Sequence, residues 1–423
     1  MLNRKEAPLF KEVENIHFVH AEENRLKNGI PVFILNGGEQ NLVRVEFIFK
    51  NVNWDASKPL LGSITNSMLS EGTHNLTAAE IADKIDFYGA FFQAESGFDR
   101  SSVTLYSLNK HLGSTLPIVQ DVLFNSIFPQ KELDTLLNTH KQRMKVSLEK
   151  NDFMAKKVFN KLIYGNTLYG HTAELTDFDE VNREDLLAYY KKAYHPKNCT
   201  IIIAGKVEDS ILKILDNLFG EWESAERFEE NRFDVPEVKS KFELVEKDQA
   251  LQSAIRLGIK TVNRTHPDFF GMQLLTTVLG GYFGSRLMSN IREDKGYTYG
   301  IGAANISLEY AGTFFIASEV GADVCKNTFE EIEKEINILK TELIPEEELK
   351  LVKNYFIGSI LGSLENIFSH ADKFKNIYFY GLDYSHLDRQ IQTIKHLTSE
   401  ELRILANKYF VFDDFIKVVV GKY

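Results

Sequence analysis

Apolar runs and amphipathic stretches alternate along the first half of the chain, a pattern that predicts a mixture of strands and helices. Two apolar runs, residues 30–35 and 42–49, follow an Asn-Gly turn and predict a β-hairpin. Thr77, with Glu80 three residues later, forms a capping-box pattern that predicts the start of a helix. The further predicted elements are helices at 62–69, 78–87, 116–124 and 183–194, a long helix opened by Pro129, and strands at 91–96, 101–108 and 199–204. This half is therefore predicted to be α+β.

The second half repeats features of the first half at a constant spacing. A helix predicted to begin after Pro345 carries apolar residues three to four positions apart, and a helix at 399–410 precedes a strand at 415–420. Four residues each have a residue of the same type 216 positions earlier: Pro345 (Pro129), Leu349 (Leu133), Leu402 (Leu186) and Gly421 (Gly205). The chain is therefore predicted to be a duplication of two α+β units of about 200 residues. A cleft between such units is where ligands usually bind.

A charged, weakly periodic stretch at residues 223–248 separates the two units. We interpret it as a linker between an N-terminal domain at 1–222 and a C-terminal domain at 249–423. A length of 423 residues also fits two domains better than a single hydrophobic core. The alternative for the stretch is a solvated helix followed by an edge strand.

Composition limits the classes of partner and the compartment. The net charge of −11 argues against general nucleic-acid binding, and no apolar run approaches the length of a membrane span. The start of the sequence has no apolar core of signal-peptide length. The two cysteines, Cys199 and Cys325, have neither a metal-binding spacing nor a disulfide framework, which fits a reducing compartment. We therefore expect a cytoplasmic protein, with the periplasm as the alternative, that binds neither nucleic acid nor membranes.

The stretch most informative about chemistry lies at residues 279–303. A cluster of three glycines precedes Ser285, the predicted N-cap of a short helix at 286–294. A Lys-Gly pair ends this helix. Residues 297–303 then alternate small and larger side chains, like a strand that must let another backbone come close.

Arg292 at the end of this helix and Tyr299 on the following strand are predicted to converge on one point. A guanidinium and a phenol are both hydrogen-bond donors, and together they suit a carbonyl oxygen that gains negative charge. The structural alternative is that the arginine contacts backbone carbonyls or water and that the tyrosine packs half-buried.

The setting of these two residues resembles a family signature. Gly-Ser-Arg-Leu at 284–287, Ile-Arg-Glu at 291–293 and Gly-x-x-Tyr at 296–299 resemble the C-terminal-half signature of the pitrilysin/insulinase metallopeptidase family, which includes mitochondrial processing peptidase. The resemblance spans nearly the whole chain. It implies an α+β fold of two duplicated domains, each a mainly antiparallel sheet with helices packed on it, that form a clamshell. It also implies that Arg292 and Tyr299 hold a substrate carbonyl against a zinc site in the other half of the enzyme.

The resemblance also marks a strand that binds substrate. The predicted strand at 91–96 matches the edge strand to which family members add an extended peptide as a further β-strand. The implied substrate-binding residues are Gln93, Ala94, Glu95 and Ser96. The alternative is an ordinary edge strand without a ligand.

The zinc-binding motif of the family is altered in this chain. Active members carry His-x-x-Glu-His on a helix, with the two histidines as ligands and the glutamate as the base that activates water. The matching ligand positions here are Ser63 and Ser67, and Asn66 stands in place of the glutamate. No histidine of the chain has another histidine four residues later, and no carboxylate lies near residues 144–146, where the third ligand is expected. We therefore expect no metal or other cofactor in this chain and expect zinc in a partner subunit.

These observations predict a chain that works in a pair. Some members of the family are pairs of unlike subunits, one with zinc and the other with the Arg/Tyr contact, and this chain resembles the second kind. The expected partners are a zinc-bearing homologous peptidase subunit and a peptide substrate, with a homodimer as the expected form when the chain is isolated. We expect peptide hydrolysis only in the pair and an inactive chain alone. Two alternatives stay open: a structural subunit of a larger assembly, and a peptide-binding module without catalysis.

Overall fold

The computed structural model describes residues 13, 15–232, 234 and 240–423. In this part of the chain, each half forms one β-sheet. The first sheet has six strands, in the spatial order β1-β2-β6-β3-β5-β4. Their bounds are Glu22–Arg25 for β1, Pro31–Asn36 for β2, Leu42–Lys50 for β3, Phe91–Ser96 for β4, Arg100–Leu108 for β5 and Cys199–Gly205 for β6.

The second sheet has five strands, in the spatial order β7-β11-β8-β10-β9. Their bounds are Phe242–Glu246 for β7, Gln252–Thr261 for β8, Thr298–Ser307 for β9, Gly312–Gly321 for β10 and Ile416–Gly421 for β11. Strands β2 to β6 and strands β7 to β11 follow the same order in space. In both sheets the first of these strands pairs in parallel with the last one, and all other pairs are antiparallel. The predicted duplication of mainly antiparallel α+β units is confirmed.

Helices cover the sheets. In the first half they are α1 (Leu61–Met68), α2 (Ala78–Phe87), α3 (Leu112–Asn125), α4 (Gln130–Leu148), α5 (Asn151–Tyr164), α6 (Arg183–Ala193) and α7 (Ile211–Phe219). In the second half they are α8 (Phe269–Thr276), α9 (Cys325–Thr341), α10 (Glu346–Gly362), α11 (Ile367–Tyr378), α12 (Tyr384–His396) and α13 (Ser399–Tyr409). The Thr77–Glu80 capping box is present as predicted, since the Thr77 hydroxyl accepts from the Glu80 amide and the Glu80 carboxylate accepts from the Thr77 amide. Within the described residues, no helix is both long and apolar enough to cross a membrane.

The predicted hairpin of residues 30–35 and 42–49 is wrong. Strand β6 lies between β2 and β3, and β2 forms its hairpin with β1 instead, around a turn in which Gly29 has a φ of +90°. Both β2 and β3 are buried along nearly their whole length. Such continuous burial is typical of interior strands, whose partners come from distant parts of the chain.

The predicted linker at 223–248 contains part of the second sheet. Strand β7 lies within it, at the edge of that sheet and parallel to β11. This edge strand corresponds to the alternative interpretation of the stretch. Residues 233 and 235–239 of the predicted linker lie outside the described residues, and the domain boundaries themselves stay a prediction.

The two halves exchange one helix each. Helix α5 of the first half packs on the second sheet, where Ala155 and Phe159 join a buried cluster with Val418. Helix α11 of the second half packs on the first sheet, where Ala371 and Phe374 are buried with strands β2 and β6. The two helices begin 216 residues apart, the spacing of the sequence repeat. Each sheet is therefore covered on one face by a helix from the other half.

Candidate functional site

The Arg/Tyr stretch is built from two short π-helices and an edge strand. Helix α8 continues as a π-helix at Thr277–Gly281, and a second π-helix follows at Met288–Asp294. A Cβ atom added to Gly280 would lie 2.8 Å from both Cβ and the amide nitrogen of Ala303 on β9. Glycine is therefore required where the first π-helix approaches the strand, as the small residues of the sequence predict.

The end of the second π-helix is as predicted, but its start is not. Gly296 has a φ of +67°, a left-handed conformation that suits the residue after a helix. The hydroxyl of Ser285 is buried and has no hydrogen-bond partner among the described residues, so it does not cap the helix as predicted. Only the carbonyl oxygen of Ser285 takes part, by accepting from the Ser289 amide. Burial in the turn after the glycines keeps the serine side chain away from the first helical amides.

Arg292 and Tyr299 lie together on this scaffold. Nε of Arg292 donates to the backbone carbonyl oxygen of Tyr299 at 3.1 Å. The face of the Phe283 ring lies beside the guanidinium, with 4.6 Å between the guanidinium carbon and the ring centroid. Nη1 is 3.5 Å from the Glu293 carboxylate, and Nη2 has no partner among the described residues. The arginine is thus held through Nε and its flat face, which leaves its outer nitrogens available to a ligand.

A β-bulge explains why the Tyr299 side chain is exposed. Thr298 pairs with Val320 and Ile301 pairs with Ser318, so Tyr299 and Gly300 together lie opposite a single residue of β10. Bulges of this kind re-aim a side chain and interrupt the ladder. The Tyr299 side chain is 93% exposed, and its carbonyl oxygen is available to Arg292. The structural alternative of a half-buried, packed tyrosine does not describe this arrangement.

Hydroxyl groups stabilise the bulge. The Thr298 hydroxyl donates to the carbonyl oxygen of Glu319 at 2.6 Å, and the Ser318 hydroxyl donates to the carbonyl oxygen of Gly300 at 2.9 Å. The two hydroxyls also lie 2.9 Å apart. Sequence reasoning did not find these two residues, because their role depends on a register shift between strands that are distant in sequence.

The altered zinc-motif positions lie on α1 and do not converge on a common point. The Ser63 hydroxyl is exposed and donates to the carbonyl oxygen of Leu60, and Ser67 is half-buried. Asn66 is only 1% exposed, and its amide donates to the Tyr194 hydroxyl at 3.0 Å. The residue at the position of the family's catalytic base is therefore sealed in the core. The described residues contain no group of three or more His, Cys, Asp or Glu side chains that could hold a metal ion.

The predicted substrate strand β4 is an edge strand. It pairs with β5 on one side and is the last strand of its sheet. Gln93 and Glu95 are exposed and hydrogen-bonded to each other at 2.7 Å, whereas Ala94 packs against the core of the first domain. The Ser96 hydroxyl accepts from Ser101. Strand β4 occupies the same place in the first sheet that β9, with Tyr299, occupies in the second.

A small apolar cavity lies between the first turn of α1 and the end of β4. Its volume is about 280 Å³, and it is lined by Trp54, Leu60, Ser63, Ser96, His171 and Tyr189, among others. The Tyr189 hydroxyl is 2.9 Å from the place where a Cβ atom on Gly62 would lie, and burial raises the pKa of this tyrosine to about 12. Sequence reasoning did not find the cavity, because its walls come from four separate parts of the chain.

Two family models match the chain. Residues 61–174 match the model of the insulinase family, peptidase family M16, and residues 180–356 match the model described as the peptidase M16 inactive domain. Strand β4 and the altered zinc motif lie in the first match, and the Arg/Tyr stretch lies in the second.

Individual proteins give the same result. A Bacillus subtilis protein named uncharacterized zinc protease YmxG is 28% identical over 349 residues, 82% of this chain and 84% of that protein. A Helicobacter pylori protein named non-peptidase homolog YmxG is 22% identical and covers 98% of this chain and 96% of its own length. The crystal structure of a peptidase M16 inactive domain from Pseudomonas fluorescens has a TM-score of 0.84 at 22% identity, over 95% of this chain and 98% of that one. The family resemblance of the sequence is confirmed. The chain therefore belongs to the insulinase family of peptidases, family M16, as a member of the type without zinc-binding residues.

Proposed function

We propose that this chain is the zinc-less subunit of a heterodimeric zinc metallopeptidase that degrades or processes peptides. The observation that carries the proposal is the contrast between the two halves. Asn66, at the position of the catalytic base, is buried and hydrogen-bonded, whereas Arg292 and Tyr299 are held together at an exposed edge of the second sheet. A homologous subunit would bring zinc and the base, and this chain would bring the two donors.

The geometry of Arg292 and Tyr299 supports a role in binding the oxygen of a scissile carbonyl. The phenol is exposed, and the guanidinium is fixed by the Tyr299 carbonyl oxygen and the Phe283 ring. Donors that are already oriented stabilise the charge of a tetrahedral intermediate without further reorganisation. Removal of one such donor typically lowers turnover by about two to three orders of magnitude.

Strand β4 would align the peptide. Because it has a strand on one side only, an extended peptide can pair along Gln93, Ala94, Glu95 and Ser96. The exposed side chains of Gln93 and Glu95 would then contact the peptide, whereas Ala94 faces the core. We place the complex in the cytoplasm and expect the isolated chain to form a homodimer.

A second candidate function is a structural or peptide-binding homologue without catalysis. The names of two similar proteins favour it, since one is called a non-peptidase homolog and the other a peptidase M16 inactive domain. On this view the bond from Arg292 to the Tyr299 carbonyl oxygen serves only to hold the π-helix on the strand.

The experiment that separates the two functions mixes this chain with a zinc-bearing homologue of similar length. Complex formation is measured by light scattering, and cleavage is measured with an unstructured fluorogenic peptide. We expect activity in the mixture that falls at least about a hundredfold with Arg292→Ala or Tyr299→Phe, while the complex still forms. Tyr423→Phe, at an exposed tyrosine on another part of the surface, is the control and should keep full activity. A fully active mixture that carries both changes at the site would refute the shared-site function.

A further inference from the structure

Another cavity lies where helix α5 of the first half crosses the second sheet. Its volume is about 450 Å³. Its charged lining consists of Lys150 and Asp152 at the start of α5, Lys156 one turn later, Arg256 on β8 and Glu319 on β10. None of these five side chains forms an ion pair with another residue in the described part of the chain. The cavity thus has one more cationic than anionic side chain, and the charges do not neutralise one another by direct pairing.

Arg256 is the central feature of this cavity. It lies on an interior strand, and its guanidinium carbon is 3.9 Å from the centroid of the Phe315 ring and 5.4 Å from that of Phe159. Its Nε is buried and has no hydrogen-bond partner among the described residues. Burial lowers the pKa of Arg256 to about 10. A desolvated charge without a counter-ion is unfavourable, so the folded chain would be stabilised by an anion at this position.

The first half shows what completes the equivalent position. Glu46 pairs with Ile202 on β6, and Arg256 pairs with Val418 on β11, 216 residues after Ile202. Glu46 is buried, and it forms an ion pair at 2.7 Å with Lys375 of the exchanged helix α11. In the second half the exchanged helix is α5, and the residue 216 positions before Lys375 is Phe159. The repeat thus places a buried charge at both positions but supplies a protein counter-ion at only one.

We propose that this cavity binds a single small anionic group, a carboxylate or a phosphate, with Arg256 as the main contact and Lys150 and Lys156 at its sides. The two aromatic rings fix the plane of the guanidinium, so that its edge is available for two parallel hydrogen bonds to an oxyanion. Helix α5 begins here without a capping side chain, and its first amides add to the positive potential. The group comes either from a free oxyanion or from the carboxylate of a bound peptide. The site does not depend on the proposed peptidase role.

The test uses the purified full-length chain with inorganic phosphate as the probe. We expect phosphate to raise the melting temperature of the wild-type chain relative to chloride at equal ionic strength, since a ligand that binds the folded state stabilises it. In isothermal titration calorimetry, Arg256→Met should bind phosphate at least about tenfold more weakly, which is the loss of one charge-assisted contact. Without phosphate, Arg256→Met should melt at or above the wild-type temperature, because the uncompensated charge is gone. Arg227→Met, at an exposed arginine elsewhere, is the control and should respond to phosphate like the wild type.

Equal phosphate affinity of the wild type and Arg256→Met, or no phosphate binding by the wild type, would overturn the site. If Arg256→Met does not fold, the double change Lys150→Met and Lys156→Met replaces it, since both lysines are exposed. Severalfold weaker phosphate binding by this variant supports the site, and unchanged binding overturns it. Two peptides of one sequence, ending in a free carboxylate or in an amide, then identify the source. Displacement of phosphate by the free acid alone assigns a peptide carboxylate, and displacement by neither peptide assigns a free oxyanion.

Discussion

The ion pair between Glu46 and Lys375 gives a direct test of how the two halves are held together. Nζ of Lys375 lies 2.7 Å from one carboxylate oxygen of Glu46, and the Glu46 side chain is 4% exposed. The other carboxylate oxygen is 3.9 Å from Arg44, whose closer partner is Asp372 at 2.9 Å. Lys375 is thus the main counter-ion of a buried carboxylate, although it comes from the other half of the chain.

The change Lys375→Met should destabilise the fold strongly, because it leaves that carboxylate buried with only a distant arginine. Breaking a buried ion pair by removing one partner typically lowers the free energy of unfolding by about 3 to 5 kcal/mol. We expect a value near the lower end, about 3 kcal/mol, because Arg44 remains nearby. Glu46→Gln should cost only about 1 kcal/mol, because Lys375 is 31% exposed and can turn to water or to Asp372.

The measurement is urea denaturation followed by far-ultraviolet circular dichroism, with the two single variants and the double variant in a cycle. The double variant should be about 2 kcal/mol more stable than the sum of the single losses predicts, since it no longer contains an uncompensated charge. Lys213→Met, at an exposed lysine of α7, is the control and should change stability by less than about 0.5 kcal/mol. Additive losses in the cycle, or a negligible loss in Lys375→Met, would refute the reasoning.

Three further predictions concern single residues. Phe283→Leu should lower turnover of the mixed complex about two- to fivefold at unchanged stability, because it removes the ring face beside Arg292; steady-state kinetics and thermal melting check this, and unchanged turnover contradicts it. Gly280→Ala should lower the free energy of unfolding in urea by about 1 to 3 kcal/mol through its clash with β9, whereas Gly358→Ala on α10, with no atom within 4 Å, should be neutral or stabilising; equal effects would contradict the close approach. Burial, with two nearby arginines, lowers the pKa of His386 to about 4, so the unfolded chain binds its proton more tightly and stability should fall by at most about 3 kcal/mol from pH 6.5 to 4. Urea titrations of the wild type and His386→Phe across this range check it, and identical pH dependence would contradict it.

Local signals in the sequence predicted local structure well. The helix after Thr77, the helices after Pro129 and Pro345, and the turn at Gly296 depend on residues a few positions apart, and all are present. The spacing of 216 residues also predicted the duplication, because equal spacings between like residues survive only when two units keep the same element order.

Features that depend on distant partners were not predictable in this way. The hairpin prediction was wrong because β6, from about 150 residues later, inserts between β2 and β3. Asn66 was recognised as a lost base, but its partner Tyr194 follows in a different helix region and gives no local signal. The bulge at Tyr299 requires the register of β10, which no periodicity of β9 reveals. The exchange of α5 and α11 left a trace, since Ala155 and Ala371 are one more like pair at the repeat spacing, but identity of residues does not say which sheet a helix covers.

The exchanged helices bear on where the proposed catalytic site can open. Separating the two halves would uncover both clusters under the exchanged helices, the one with Phe159 and the one with Phe374. Each large apolar side chain in them contributes about 1.5 to 3 kcal/mol through burial, so the total is far above the stability of an ordinary domain. We therefore expect the two halves of one chain to move as a single body. In that case Arg292 and Tyr299 do not meet a metal by closure of their own chain, and peptide access depends on the contact with a second subunit, which is the arrangement that the shared-site proposal requires.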